Sequence, residues 1–365
     1  MANPLSADAR LLRNVLFKAS VLFIAFNLLY IMVQPLPLLD HLTLYNYVFP
    51  GRDRFPWSEQ PAQSFSVSLS RLDAMFASHV LAGTPKAADE YRVLFLGDSA
   101  VWGLEIGAEA GTPPALLNDL ALRTTSGKRI RAYNLAYPGP NALRDALILQ
   151  HALAYQPDLI VWPLTLQTLN AAEFTQSDIV QAQAAEAQIL AQQAGLTLSF
   201  PPANWLDRTL WGQRAQLAAW LQHQLQGVAW AASGIDFAPE PFRVPPPFDL
   251  TANREYDLTT FHTGEKLLIT AITSAAAQQV PVLLINEPIY VSSGSNSDVR
   301  YNADYPRWAY DQYRNELTAL ARTQGWRYLD LWNAVPPAQF IRTSLHYTPE
   351  GARTLAEKIG AAIQG

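Results

Sequence analysis

The chain of 365 residues contains no cysteine, and this absence excludes disulfide bonds, thiolate nucleophiles and cysteine-ligated metals together. Basic residues are also few, because 26 Lys and Arg face 31 Asp and Glu for a net charge of −5. A nucleic-acid-binding protein needs a basic face, so no nucleic-acid partner is predicted. Neither a phosphate-binding glycine loop nor a zinc-finger spacing occurs. The remaining composition, 49% hydrophobic, is that of a globular protein with ample material for a buried core.

Strongly polar residues are almost missing from one N-terminal segment, where only Asn27 interrupts the run from Ala19 to Val33. With its flanks the segment 15–36 is long enough to cross a bilayer, which takes about 20 residues. Because basic residues precede the uninterrupted run and Asp40 follows the segment, the pattern predicts a single-pass membrane protein with residues 1–14 in the cytoplasm and the domain after the segment outside. A cleaved signal peptide and a buried core helix are the alternatives, but no small-x-small cleavage site follows the segment. The basic residues are Arg10, Arg13 and Lys18.

Beyond residue 90, short apolar runs alternate with segments of helical pattern. Continuous apolar strands between helices predict a parallel sheet covered on both faces, a doubly wound five-stranded α/β fold of flavodoxin-like kind. Functional sites in such sheets form at the carboxyl ends of the strands. The predicted strands are 92–97, 129–136, 158–163, 281–287 and 327–331, and the predicted helices are 112–125, 141–155, 263–279, 306–324 and 349–363.

Two segments depart from this alternation. Residues 37–90 are irregular and rich in aromatics, proline and serine, which indicates an extracytoplasmic stalk or collar before the α/β domain of residues 91–365. That domain is interrupted by a helical insertion at 170–260. Within the insertion, apolar residues including Trp211 and Trp220 recur at helical spacing. We expect this apolar stripe to pack the insertion against the core; a platform for lipid or glycan is the alternative.

The stretch YRVLFLGDSAVWG places Ser99 where the first predicted strand ends. A serine hydroxyl is a weak nucleophile until a base takes its proton, so a functional Ser99 requires a histidine. Of the six histidines, His346 lies in the loop after the fifth strand, just before a helix that starts near Pro349. The topology brings both loops to the carboxyl edge of the sheet, so the two side chains are expected to meet. The alternatives are a plain helix cap at Asp98 and Ser99, and an ordinary loop histidine.

Three blocks, GDS after the first strand, NLAYPG after the second and LHYTPEG before the last helix, resemble those of the SGNH/GDSL hydrolase superfamily. The resemblance covers residues 91–170 and 262–363 and implies a three-layer α/β fold. It implies Ser99 as the nucleophile and His346 as the base. It also implies an oxyanion hole formed by the backbone N–H groups of Ser99 and Gly139 and by a side-chain amide from a third block. The acyl-enzyme chemistry needs no metal or cofactor.

Two positions depart from the family pattern. The third block here is WPLTLQTLN, in which Gln167 is the amide nearest in register and Asn170 lies three residues further on. The family's aspartate three residues before the histidine is replaced by Thr343. Another acceptor must then orient the imidazole, because its N–H needs a partner that fixes the tautomer. Candidates are a backbone carbonyl of 342–344, the Thr343 hydroxyl, and a carboxylate from Glu287 or Asp330.

Glu287 stands at the end of the fourth predicted strand, in LLINEPIY. This is a site position in a doubly wound sheet, so Glu287 is a candidate site carboxylate. A salt bridge to Arg300 or Arg307 is the alternative role.

Together these features predict a membrane-anchored, extracytoplasmic serine esterase or O-acyltransferase. It would act through an acyl-enzyme on an ester, expected to belong to a cell-envelope glycan. An outward-facing anchored domain of this kind resembles the extracytoplasmic partners of membrane-bound O-acyltransferases, which makes such an enzyme a candidate partner. The alternative function is that of a catalytically weak or inactive envelope subunit that binds glycan or a membrane partner.

Overall fold

A computed structural model of the chain describes residues 7–43, 51–57, 68–106, 108–200, 204–233, 258–341 and 344–364. Its first element is the long helix α1, Ala7–Val33, followed by the short helix α2, Leu36–Asp40. The break between them coincides with Gln34, at a φ of 45°, and Pro35, which lacks the N–H that would continue a helix. Residues Asp8–Val33 are long and apolar enough to span a membrane, and only 11% of their most apolar window is buried.

Five parallel strands form the sheet, namely β1 Glu90–Phe95, β2 Arg129–Asn134, β3 Leu159–Leu164, β4 Val282–Asn286 and β5 Arg327–Asp330. Their order in the sheet is β2-β1-β3-β4-β5. The prediction of a five-stranded doubly wound sheet is therefore confirmed. Every residue of the central strand β3 is buried, which explains its uninterrupted apolar sequence. Since the strand order reverses between β1 and β3, their carboxyl ends open a crevice at that point.

Helices connect the strands and cover the sheet. In the described part of the chain the helix Pro113–Asp119 packs on Pro349–Gln364, and the helix Ala142–Ala152 packs on Leu258–Ala277. Beyond α2 the helices are α3 Leu72–Ser78, α4 Val80–Gly83, α5 Ser99–Trp102, α6 Pro113–Asp119, α7 Ala142–Ala152, α8 Asp178–Ala182, α9 Ala184–Gln193, α10 Leu210–Ser233, α11 Leu258–Ala277, α12 Arg307–Gln324 and α13 Pro349–Gln364.

The described parts of the segment before β1 belong to the hydrophobic core. Phe55 and Phe76 are buried, with their rings edge to face at a centroid distance of 5.0 Å. The indole of Trp102 donates to the carbonyl of Phe55 at 2.8 Å. These contacts fasten the segment to the helix that begins at Ser99.

The insertion has two parts with different partners. Helices α8 and α9 pack on α7, and α9 also contacts α11, so this half covers the α/β domain. Helix α10 instead contacts α1 and α2, and Trp220 Nε1 donates to the carbonyl of Leu39 at 2.9 Å. The stripe expected to face the core therefore faces the N-terminal helices, and the side chain of Trp211 is 58% exposed. Helical spacing identified an apolar face, but it could not identify the element which that face meets.

Gly264 allows α11 to approach the turn that follows β3. A Cβ atom at this position would stand 2.2 Å from the carbonyl oxygen of Leu169, so only glycine fits. We expect Gly264→Ala to lower the free energy of unfolding by about 1–3 kcal/mol, because the two backbones must separate. The measurement is the denaturant midpoint of the full chain in detergent. Lys266→Ala, at an exposed position of the same helix, is the matched control, and equal midpoints for both variants would contradict the close approach.

Candidate active site

Ser99 is presented by a tight turn at the end of β1. Gly97 has a φ of 125°, and a Cβ atom there would lie 2.9 Å from a methyl group of Val101. The Oδ1 atom of Asp98 accepts from the backbone N–H of Ala100 at 2.9 Å and so caps the short helix α5. The capping role considered for this turn is therefore real for Asp98, and it coexists with the placement of the half-buried Ser99 at the sheet edge.

His346 reaches Ser99 from a loop that two backbone contacts fix. The carbonyl of Ser344 accepts from Tyr290 N–H at 2.8 Å, and the carbonyl of His346 accepts from Ile341 N–H at 2.7 Å. The Nε2 atom of His346 lies 2.8 Å from Ser99 Oγ, within hydrogen-bonding distance. The structure thus brings together two side chains that are 247 positions apart in the sequence.

The loop after β2 is held beside this pair by Arg144, whose side chain is almost fully buried. Its guanidinium donates to the carbonyls of Gly97 at 3.1 Å and Pro138 at 3.0 Å, and also to that of Gly139. Asp145 neutralises the guanidinium at 2.6 Å. Gly139 itself has a φ of 85°, which a side chain would strain. Sequence reasoning missed Arg144; its signal was an Arg-Asp pair inside the otherwise apolar helix ALRDALIL.

The third block forms a 3-10 turn, Leu166–Leu169, directly after β3. Gln167 lies in this turn with 9% of its surface exposed. Asn170 is engaged elsewhere, since its Oδ1 accepts from the N–H of Ala172 and its Nδ2 donates to Glu173 at 3.1 Å. Of the two candidate amides, Gln167 is therefore the one placed in the turn at the strand end.

The candidate orienting groups occupy different places. Thr343 lies outside the described residues. The carboxylate of Asp330 accepts from Asn286 at 2.8 Å and from Arg314 at 2.6 Å. Glu287 makes neither of the salt bridges considered for it, because Arg300 and Arg307 donate to backbone carbonyls and the Glu287 carboxyl turns inward.

The carboxyl of Glu287 meets that of Asp98 in the interior, where both side chains are buried. No other described donor reaches Asp98 Oδ2 or Glu287 Oε1, so the two oxygens can bond only if one carries a proton. Burial raises the pKa of Glu287 well above its ordinary value, and the neighbouring charge of Asp98 raises it further. Burial also raises the pKa of Asp98, although the N–H of Ala100 and the charge of Arg144 oppose this shift. Both shifts favour retention of one proton by the pair, and we place this proton on Glu287, whose pKa both burial and the charge of Asp98 raise.

This acid pair connects the serine turn and the histidine loop. Asp98 precedes Ser99 directly, while Glu287 Oε2 accepts from the hydroxyl of Tyr347, which follows His346, at 3.4 Å. Tyr347 also donates to the carbonyl of Pro288 at 3.2 Å. A chain of buried contacts therefore runs from the serine turn through β4 to the histidine loop. The sequence signal was a glutamate within the apolar run LLINEPIY, which was noted without its partner.

Comparison with known proteins gives similarity at the level of solved structures. No protein-family model matches the chain, and no curated protein matches it. A catalytic mutant of an acetylxylan esterase from Geobacillus stearothermophilus is 13% identical, with a TM-score of 0.39 over 75% of this chain and 94% of the esterase. A carbohydrate acetylesterase from Sinorhizobium meliloti is 11% identical, with a TM-score of 0.35 over 74% of this chain and 96% of its own.

TM-scores this low carry no inference about activity or substrate. The fold and the candidate site are instead described from this chain's own features. These are the strand order β2-β1-β3-β4-β5, the serine turn after β1 and the histidine loop before α13. These features define a doubly wound five-stranded parallel sheet that brings Ser99 and His346 together at its carboxyl edge.

Proposed function

We propose that this protein is a serine esterase in which Ser99 and His346 form the catalytic pair. The observation that carries the proposal is the 2.8 Å distance between Ser99 Oγ and His346 Nε2 at the carboxyl edge of the sheet. In the neutral imidazole with its proton on Nδ1, Nε2 accepts the proton of the serine hydroxyl. Ser99 Oγ then attacks the ester carbonyl and forms a tetrahedral intermediate.

Collapse of that intermediate expels the alcohol, which receives the proton from Nε2, and leaves an acyl-serine. Water then attacks the acyl-serine with the same histidine as base, and the acid is released. We assign the oxyanion hole to the backbone N–H groups of Ser99 and Gly139 and to the Gln167 side chain. Arg144 supports this assignment, since it fixes the carbonyls of the loops that carry the two N–H groups. Removal of one such donor costs on the order of 3 kcal/mol in other serine hydrolases.

We further propose that α1 anchors the catalytic domain on the outer side of the membrane. Its apolar length and the basic residues at its start support this topology. Protease added to intact cells that express the full chain should then digest the bulk of the protein, while lysed cells serve as the control for total susceptibility. Protection of the whole chain in intact cells would contradict the orientation.

For the substrate we propose an ester of a cell-envelope glycan, because an anchored domain outside the membrane meets such esters. Transfer of the acyl group to a sugar hydroxyl follows the same acyl-enzyme path with a different acceptor. The partnership with a membrane-bound O-acyltransferase stays a prediction of the sequence resemblance. The orientation of His346 by a group other than Thr343 also stays a prediction.

Covalent labelling distinguishes an enzyme from an inactive subunit. A fluorophosphonate probe reacts with an activated serine, so the purified full chain in detergent should be labelled at Ser99. Ser99→Ala should remove the label, and Ser126→Ala, at an exposed position in the turn before β2, should retain it. A folded wild-type protein that takes up no label would favour the alternative of a binding subunit.

A further inference from the structure

The start of α10 lies beside the middle of α1. The rings of Phe23 and Trp211 meet edge to face at a centroid distance of 6.2 Å. One helical turn further along α1, the Oδ1 atom of Asn27 accepts from the backbone N–H of Trp211 at 3.1 Å. The hydroxyl of Tyr30 donates to Gln213 Oε1 at 2.9 Å. These three contacts fix the height of the α10 start relative to the helix proposed as the anchor.

That height is inside the span. A bilayer crossing takes about 20 residues, and the basic side chains bring its inner end to the stretch between Arg13 and Lys18. Phe23 and Asn27 lie within the crossing whether its inner end is at Arg13 or at Lys18. Phe23 is ten residues before Val33, which at 1.5 Å per residue is about 15 Å along the helix axis. A membrane spanned by α1 therefore surrounds Trp211 as well.

This end of the insertion carries charged as well as apolar exposed side chains, because Asp207 and Arg208 follow Leu206 directly. Gln34 Nε2 donates to the carbonyl of Arg208 at 3.0 Å, which brings these charges to the outer end of α1.

Trp205, Leu206 and Trp211 expose 65%, 46% and 58% of their surface, although all three are large and apolar. The guanidinium of Arg214 covers the Trp211 ring at 4.3 Å. Tryptophan and arginine side chains of this kind accumulate at membrane interfaces, where the long basic side chain extends toward the headgroups.

Asn27 gives an independent indication. An amide in a membrane span requires partners, because lipid tails offer none. Asn27 is only 8% exposed, its Nδ2 donates to the carbonyl of Phe23 at 2.8 Å, and its Oδ1 takes the N–H of Trp211. The start of α10 thus satisfies the polar atom that the span carries.

We propose that residues 204–214 are a second membrane element: Leu206 and Trp211 enter the acyl region beside α1, and the charged side chains of Asp207, Arg208 and Arg214 extend to the headgroups on the domain side. The proposal rests on the anchor proposed above. The partner of the exposed apolar face is the lipid bilayer. From this position α10 runs outward along α1 and α2, where Gln224 Nε2 donates to the carbonyl of Leu42 at 2.6 Å. Two adjacent contacts with the bilayer prevent the catalytic domain from rotating freely about a single helix.

The absence of cysteine allows a direct test, since a single introduced thiol is the only labelling site. The variants Leu206→Cys, Trp211→Cys, Phe23→Cys and Leu225→Cys are labelled with an environment-sensitive fluorophore. The full chain is then reconstituted into vesicles of phosphatidylcholine and phosphatidylglycerol that contain acyl-chain nitroxide lipids. Leu225 is the matched control, because its side chain is apolar and 73% exposed but lies beyond the contact of Gln224 with Leu42.

We expect several-fold quenching at positions 206, 211 and 23, and none at 225. Quenching at 23 without quenching at 206 and 211 would show that residues 204–214 do not contact lipid, although α1 spans the membrane. The exposed face would then be assigned to a protein partner. A lack of quenching at 23 contradicts the anchor, and it also contradicts the membrane contact of residues 204–214, which depends on that anchor. Quenching at 225 as strong as at 211 also overturns the proposal, since the helix would then lie flat in the membrane.

Discussion

Ser99→Ala and His346→Ala should each lower the rate of ester hydrolysis by roughly 10⁴- to 10⁶-fold, and the double variant should be no slower than either single variant. The reason is that the two groups act as one unit. Without the base at Nε2 the hydroxyl keeps its proton, and without the hydroxyl the base has nothing to activate. The measurement is the turnover of a small chromogenic acetyl ester by the full chain in detergent, for the wild type, both single variants and the double variant.

His262→Ala is the matched control for the histidine substitution, because His262 is an exposed histidine of α11 whose ring lies 3.3 Å from the Glu265 carboxylate. It should leave the turnover unchanged. A double variant whose loss equals the product of the two single losses would contradict the catalytic pair, since independent sites add their free energies. Retention of activity in Ser99→Ala would assign the reaction to another nucleophile.

The sequence was sufficient to predict the sheet and the encounter of Ser99 with His346. Buried parallel strands are continuous apolar runs, which are easily recognised, and their carboxyl ends share one edge of the sheet. A serine after the first strand and a histidine after the fifth are therefore placed at one edge by topology alone. No knowledge of side-chain packing was needed for this step.

The supports of the site could not be predicted in the same way. Arg144 and Glu287 are single charges in apolar surroundings, and their partners come from other strands and loops. Which partner a buried charge finds depends on tertiary distances that a linear pattern does not contain. The same applies to Trp211, whose helical spacing indicated an apolar face but not its neighbour Phe23.

The acid pair should make stability depend on pH, and Glu287→Gln should remove that dependence. Glutamine keeps the shape of protonated Glu287: its amide donates to Asp98 Oδ2, and its oxygen accepts from Tyr347. Glu287→Ala instead leaves the buried Asp98 oxygen without a donor and opens a cavity. We expect it to lower the free energy of unfolding by about 2–4 kcal/mol, while Glu287→Gln stays close to the wild type at neutral pH.

The sign of the pH effect follows from the direction of the shift. The pKa of Glu287 is raised in the folded chain, by burial first and by the charge of Asp98 second. Below the ordinary glutamate pKa both the folded and the unfolded chain hold the proton, and the contribution of the pair to the free energy of unfolding is fully present. As the pH rises, the unfolded chain loses its proton first. Stability then falls by up to about 1.4 kcal/mol per pH unit, until the pH passes the raised pKa.

Denaturant midpoints of the full chain in detergent, measured across this range for the wild type and Glu287→Gln, give the slope that belongs to the pair. Asp145, whose pKa burial raises to about 6, titrates in both proteins and cancels in the difference. A wild-type curve parallel to that of the glutamine variant would show that the pair holds no proton. A glutamine variant as unstable as Glu287→Ala would show that Asp98 requires a charged partner. If both curves behave as expected, the proton between Asp98 and Glu287 is what joins the serine turn to the histidine loop.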